Sequence, residues 1–126
     1  TNRTPEGGHV FMESILTSVK KLIGIEESYE HFDQDIIIYI NSAFANLNQL
    51  GVGPTEGFNV ESKTETWSDF IGERKDLESI KSYVYLKVRL IFDPPQMGYL
   101  VDAIKDQIKE IEWRLNVQVE GGNQVD

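Results

Sequence analysis

The side chains with potential for chemistry are few, and most of them fall in one acidic stretch, "EESYEHFDQD" at residues 26–35. His31, beside Asp33 and Asp35, has the chemistry of a metal ligand or a general base. A single histidine in a solvated turn is usually inert, and the only other one, His9, lies near the start of the chain. Glu26, Glu27, Glu30, Asp33 and Asp35 would together attract a cation, but the spacing and the glycine of a calcium loop are missing. Solvated charge is the simpler account. The glycines of "GVGPTEG" at residues 51–57 suggest a phosphate loop only loosely, because they follow a helical pattern and no Lys-Ser or Lys-Thr pair comes after them. The chain contains no cysteine, which excludes thiolate nucleophiles, disulfides and zinc sites built on sulfur. No carboxylate pair, nucleophile with its base, or oxyanion motif can be assembled. The residues therefore predict no enzyme, no metal and no cofactor.

The elements that carry these residues must fit into 126 residues, room for one domain with a single core. A hydrophobic fraction of 40% beside 26% charged residues is that of a globular protein. No apolar run approaches the roughly 18 residues needed to span a bilayer. The formal charge of −9 repels a phosphate backbone, so specific nucleic-acid binding is not expected. Residues 1–11 lack a secretion-signal pattern and are expected to be a leader, vector-derived or disordered, with Met12 as the natural start. Residues 12–118 form the expected helical domain, and 119–126 a flexible tail.

Within the domain, Ile15, Leu16, Val19, Leu22 and Ile23 fall on one helical face, and Gly24 is placed to end that helix. A second helix is predicted from about Gln34 to Leu50, with Asp33 as N-cap and Asp35 in the first turn, where the helix dipole favours negative charge. Its stripe is Ile36, Ile40, Ala43, Phe44, Leu47 and Leu50. Ile37 and Tyr39 lie off the stripe, so the helix is either central or faces a partner. Gly51, Gly53 and Pro54 stop it.

"KSYVYLKVRLIFDPP" at residues 82–96 fits two periods. In twos it is a strand with Val84, Leu86, Val88, Leu90 and Phe92 on one side; in threes and fours, Leu77, Ile80, Val84, Val88 and Ile91 make a helical stripe. A strand that long would be about twice the usual length and would have almost nothing to pair with. A buried helix from an Asp76 cap to the double proline is the better prediction. The last helix is the clearest, with Met97, Leu100, Val101, Ile104, Ile108, Ile111 and Leu115 in register, Asp93 as cap and Pro95 near its start. Trp113, just off that stripe, is expected to pack. The fold class is all-α, a four-helix bundle-like domain with an irregular arm or short β-hairpin between helices 2 and 3.

That arm, residues 51–75, is long for a structureless connection. Ordering about 25 residues costs roughly 1–2 kcal/mol of backbone entropy each. Its sizeable apolar side chains, Phe58, Val60, Trp67, Phe70 and Ile71, are the candidate protein-interface residues, with Trp67 and Phe70 as anchors, although a local core contact is an equally good reading of Trp67.

Taken together, "VKKLIGI", "DQDIIIYINSAFANLNQLGVG", the arm with "TWSDFI", "YVYLKVRLIFDPP" and the terminal amphipathic helix resemble the head-to-tail connector, or adaptor, proteins of long-tailed phages and prophages. The resemblance covers roughly residues 12–118. It implies a structural virion protein at the head-to-tail junction, made in the bacterial host cytoplasm. The implied partners are the phage portal protein, neighbouring copies in a ring, twelvefold like the portal, and downstream stopper or tail proteins. DNA would pass through the lumen without specific binding. A closed ring needs two different complementary faces on each subunit. The competing expectation is a small soluble helical adaptor or regulator that holds a protein partner in a groove.

Overall fold

A computed structural model describes residues 13–72 and 76–123 of the chain. The expected leader lies outside the described residues. In chain order the helices are α1 (Ile15–Leu22), α2 (Asp33–Gln49), α3 (Trp67–Ile71), α4 (Leu77–Phe92) and α5 (Gly98–Asn123). Among the described residues there is no strand, only an isolated antiparallel bridge between Ser14 and Thr66. The all-α expectation holds, and the two-period segment is helical throughout as α4. The expected hairpin is absent from residues 51–72, which instead hold turns and the short helix α3.

Several helix ends have a local cause. Ser14 caps α1 by accepting from the Thr17 N–H at 3.2 Å. At the other end Gly24, with φ 86°, lets the Ile25 N–H reach back to the Lys20 carbonyl at 2.8 Å. Gly51 does the same for α2, where the Val52 N–H meets the Leu47 carbonyl at 2.9 Å. Both are left-handed glycine terminations that satisfy carbonyls the helix would leave open. The short α3 opens with a reciprocal capping box: Thr66 accepts from the Asp69 N–H, and Asp69 accepts from the Thr66 N–H at 2.9 Å.

Three expectations about the termini need correction. Asp33 is the first residue of α2, and the preceding Phe32 stands at the cap position. The Asp33 carboxylate instead pairs with the Lys20 ammonium at 2.9 Å. Asp93 closes α4 rather than opening α5, which begins at Gly98, past both prolines. α5 also continues to Asn123, beyond the start of the expected tail, because Val119 packs against the core.

α4 is the centre of the molecule, with α2, α5 and α1 packed on it. Ile36, Ile40, Phe44 and Leu47 of α2 meet Ile80, Tyr83, Val84 and Val88 of α4 in one buried cluster. Ile104, Ile108, Ile111 and Leu115 close it from the α5 side. This wide burial around α4 explains its strand-like composition: packing against three helices outweighs the weak helix propensity of valine, isoleucine and tyrosine.

Candidate functional site

The acidic connector between α1 and α2 is organised by one buried lysine. Lys20 is 2% exposed. Its ammonium donates to the carbonyls of Tyr29 at 2.7 Å and Glu27 at 3.0 Å, besides pairing with Asp33. A buried ammonium is tolerated only when its charge is paired and its donors are used. The lysine thus holds the connector in place while Glu26, Glu27 and Glu30 stay in solvent. His31 is exposed and stands edge-on to Phe32, ring centroids 4.7 Å apart. Among the described residues no three His, Asp or Glu side chains are grouped to hold a metal ion.

The five candidate interface residues are divided by the structure. Trp67 is 0% exposed, and Val60 and Phe70 are also buried. The Trp67 indole N–H donates to the Ser18 hydroxyl at 2.9 Å, and its ring stands edge-on to Phe44. Phe70 stacks on Phe44 with centroids 4.5 Å apart. Their packing supplies, inside the subunit, the apolar contact that the ordered arm requires, so Trp67 and Phe70 are core residues of the subunit rather than exposed anchors. Phe58 and Ile71 are half-buried and keep an outer face.

Asn41 fixes the arm against α2. Its side-chain amide donates to the Val60 carbonyl at 2.9 Å and accepts from the Val60 N–H at 2.7 Å, as a neighbouring strand would. Asn48 donates to the Pro54 carbonyl at 3.0 Å. Between α2 and the arm an open cleft of about 330 Å3 remains, with Phe44, Ala45, Gln49 and Phe58 among its lining and Glu56 as its one charged side chain.

The large apolar side chains left in solvent lie elsewhere. Trp113 is 67% exposed, contrary to its expected packing, and Val117 one turn on is also exposed. Helical spacing puts Tyr99, Asp102, Asp106, Trp113 and Val117 along the side of α5 opposite its buried stripe. A second group flanks the turn between α4 and α5: Ile91, Met97, Tyr99 and Leu100 are all exposed. Met97 and Leu100 belong to the predicted core stripe, yet the described residues leave both exposed. Beside this turn Phe92 meets Phe32 edge-on at 5.2 Å, tying the corner to the acidic connector. On α2, Ile38 is 62% exposed, and residues 36–55 include no charged side chain.

Among the described residues no catalytic constellation accompanies these side chains. Among the described residues the strongly perturbed group is Tyr83, and packing explains it. Burial first, then the hydrogen bond to Glu112 at 2.7 Å and that carboxylate's charge, push its hydroxyl well above the ordinary phenol value. What the described residues present is a set of exposed apolar side chains on α2, on α5 and at the α4–α5 corner. A family model described as phage connector protein matches residues 15–122. The chain belongs to that family. The match spans every helix described above, from the first residue of α1 almost to the end of α5. No curated protein and no solved structure matches the chain. The phage connector family is structural rather than enzymatic, which points to a connector role among phage head and tail proteins and to a place in the virion. Among the described residues no helix is long and apolar enough to cross a membrane.

Proposed function

We propose that the chain is one subunit of a ring that attaches to the portal and forms part of the channel through which DNA passes. The observation that carries this reading is the set of large apolar side chains on separate outer faces of a connector-family domain: Ile38 on α2, Trp113 and Val117 on α5, and the corner of Ile91, Met97 and Leu100. A subunit in a closed ring needs two unlike faces for its neighbours and a third for the component it sits on. The corner is the surface assigned to the portal, because it projects from one end of the helices. The charge of −9 suits a channel wall that does not hold the phosphate backbone.

The test is sedimentation of the chain with and without its portal protein. The reading expects a faster boundary containing both proteins, and loss of that boundary in Leu100→Glu while the free protein stays folded. Independent migration of the two wild-type proteins under all salt conditions would overturn it.

A further inference from the structure

We propose that Trp113 of one copy seats in the cleft between α2 and the arm of the next copy, making the subunit-to-subunit seam. This inference rests on the ring reading and names the two faces it requires. Trp113 projects from α5 with two-thirds of its surface in water, a costly place for an indole unless it is an anchor. The cleft, at about 330 Å3, has room for that ring, and the half-buried Phe58 is its accessible aromatic face, with Phe44 buried behind it. Its rim is made of amides and the Glu56 carboxylate, acceptors within the chemistry of an indole N–H.

Charge selects the same pairing. Two copies carrying −9 each repel, so a self-interface must lie where acidic groups do not face each other. The α2 side supplies the charge-free run 36–55, with exposed Ile38, Ser42, Ala45 and Gln49 at helical spacing. Trp113 is flanked on α5 by exposed Lys109, which would approach the lone Glu56 of the cleft, while Arg114 is paired with Glu110 at 2.8 Å and Asp106 stands two turns away. α2 and α5 pack on α4 rather than extensively on each other, and each turns its outer face away from it. One subunit can therefore be knob to one neighbour and cleft to another, a heterologous contact of the kind that closes rings.

Cysteine cross-linking tests the seam directly, because the chain has no cysteine of its own. Gln49→Cys and Val117→Cys are introduced singly and together into the full chain. A short thiol-reactive cross-linker is then applied, with light scattering run in parallel. The double variant should give a ladder of covalent oligomers, while neither single variant cross-links alone. Adding Trp113→Ala should abolish the ladder and leave the circular dichroism unchanged. Covalent dimers from Gln49→Cys alone would show α2 pairing with α2 and overturn the proposal. Absence of a ladder in material that scatters as a ring would also overturn it while leaving the ring reading intact. Absence of any assembly, alone or with the portal protein, would remove the ring reading together with the seam.

Discussion

The Trp67 indole N–H donates to the Ser18 hydroxyl at 2.9 Å across 49 positions of sequence, and neither residue is open to solvent. The Ser18 hydroxyl in turn donates to the Ile15 carbonyl at 2.9 Å, so the bond joins the arm to the first helix through a satisfied chain. Next to it, the Trp67 N–H meets the Glu13 carbonyl and the Ile15 N–H meets the Glu65 carbonyl. The arm is thereby part of the subunit's core at this point.

The two tryptophans should consequently respond in opposite ways to truncation. Trp67→Ala removes a fully buried ring and the donor to the Ser18 hydroxyl oxygen, which keeps its own bond to the Ile15 carbonyl, an expected loss of about 3–5 kcal/mol. Trp113→Ala should change stability by no more than about 0.5 kcal/mol. Urea unfolding of both variants measures this. Equal losses would contradict the assignment of Trp67 to the core.

Asn41→Ala should loosen the arm without melting the helices. The substitution leaves the Val60 N–H and carbonyl without their partner, at roughly 1–3 kcal/mol for groups shielded from water. Hydrogen exchange at the Val60 amide should accelerate while amides in the middle of α4 keep their protection. Unchanged exchange at Val60 would show that the amide pair does not hold the arm.

Lys20→Met tests the connector. The methionine keeps the buried stem but leaves Asp33 facing two open carbonyls, and breaking a buried pair in this way costs about 3 kcal/mol. Asp33 keeps 19% side-chain exposure, so solvent screening reduces that figure. Amides of residues 27–33 should exchange faster than in the parent. A variant as stable as the parent would show that the ammonium contributes nothing net.

Tyr83 makes stability fall in alkali. Its hydroxyl is held above the ordinary phenol value of about 10, first by burial and then by Glu112. A group whose folded value is raised stabilises fully below its unfolded value, and that stability is lost as pH rises through the folded one. The Tyr83 contribution to stability should therefore be constant below about pH 9 and be lost above about pH 10, lowering the thermal midpoint there. Tyr83→Phe should lack much of the alkaline fall. Phenolate absorbance rising in one early step for all five tyrosines, with the fold intact, would contradict the burial.

The fold was legible where a helix buries one face, as in Ile36 to Leu47 of α2 and Ile104 to Leu115 of α5, because burial writes a 3.6-residue period into the chain. Gly24 and Gly51 were readable as terminators for an equally local reason. The arm was not. α3 is only five residues long, too short for periodicity, although Thr66 and Asp69 at capping-box spacing did mark its start. Burial of Trp67 depends on Ser18 and Phe44, distant partners that no local pattern encodes. Trp113 misled for the converse reason: its place just off the stripe does not say whether a neighbouring element covers it. Lys20 was likewise invisible, since its burial depends on a connector folding back over α1.

The central claim, that the chain is a ring subunit seated on the portal, is tested most directly by native mass spectrometry of the portal complex. The account predicts an assembly whose added mass is a whole multiple of 14.4 kDa, with one copy for each portal subunit. Finding the portal unaltered and the chain only as a free 14.4 kDa species would contradict it.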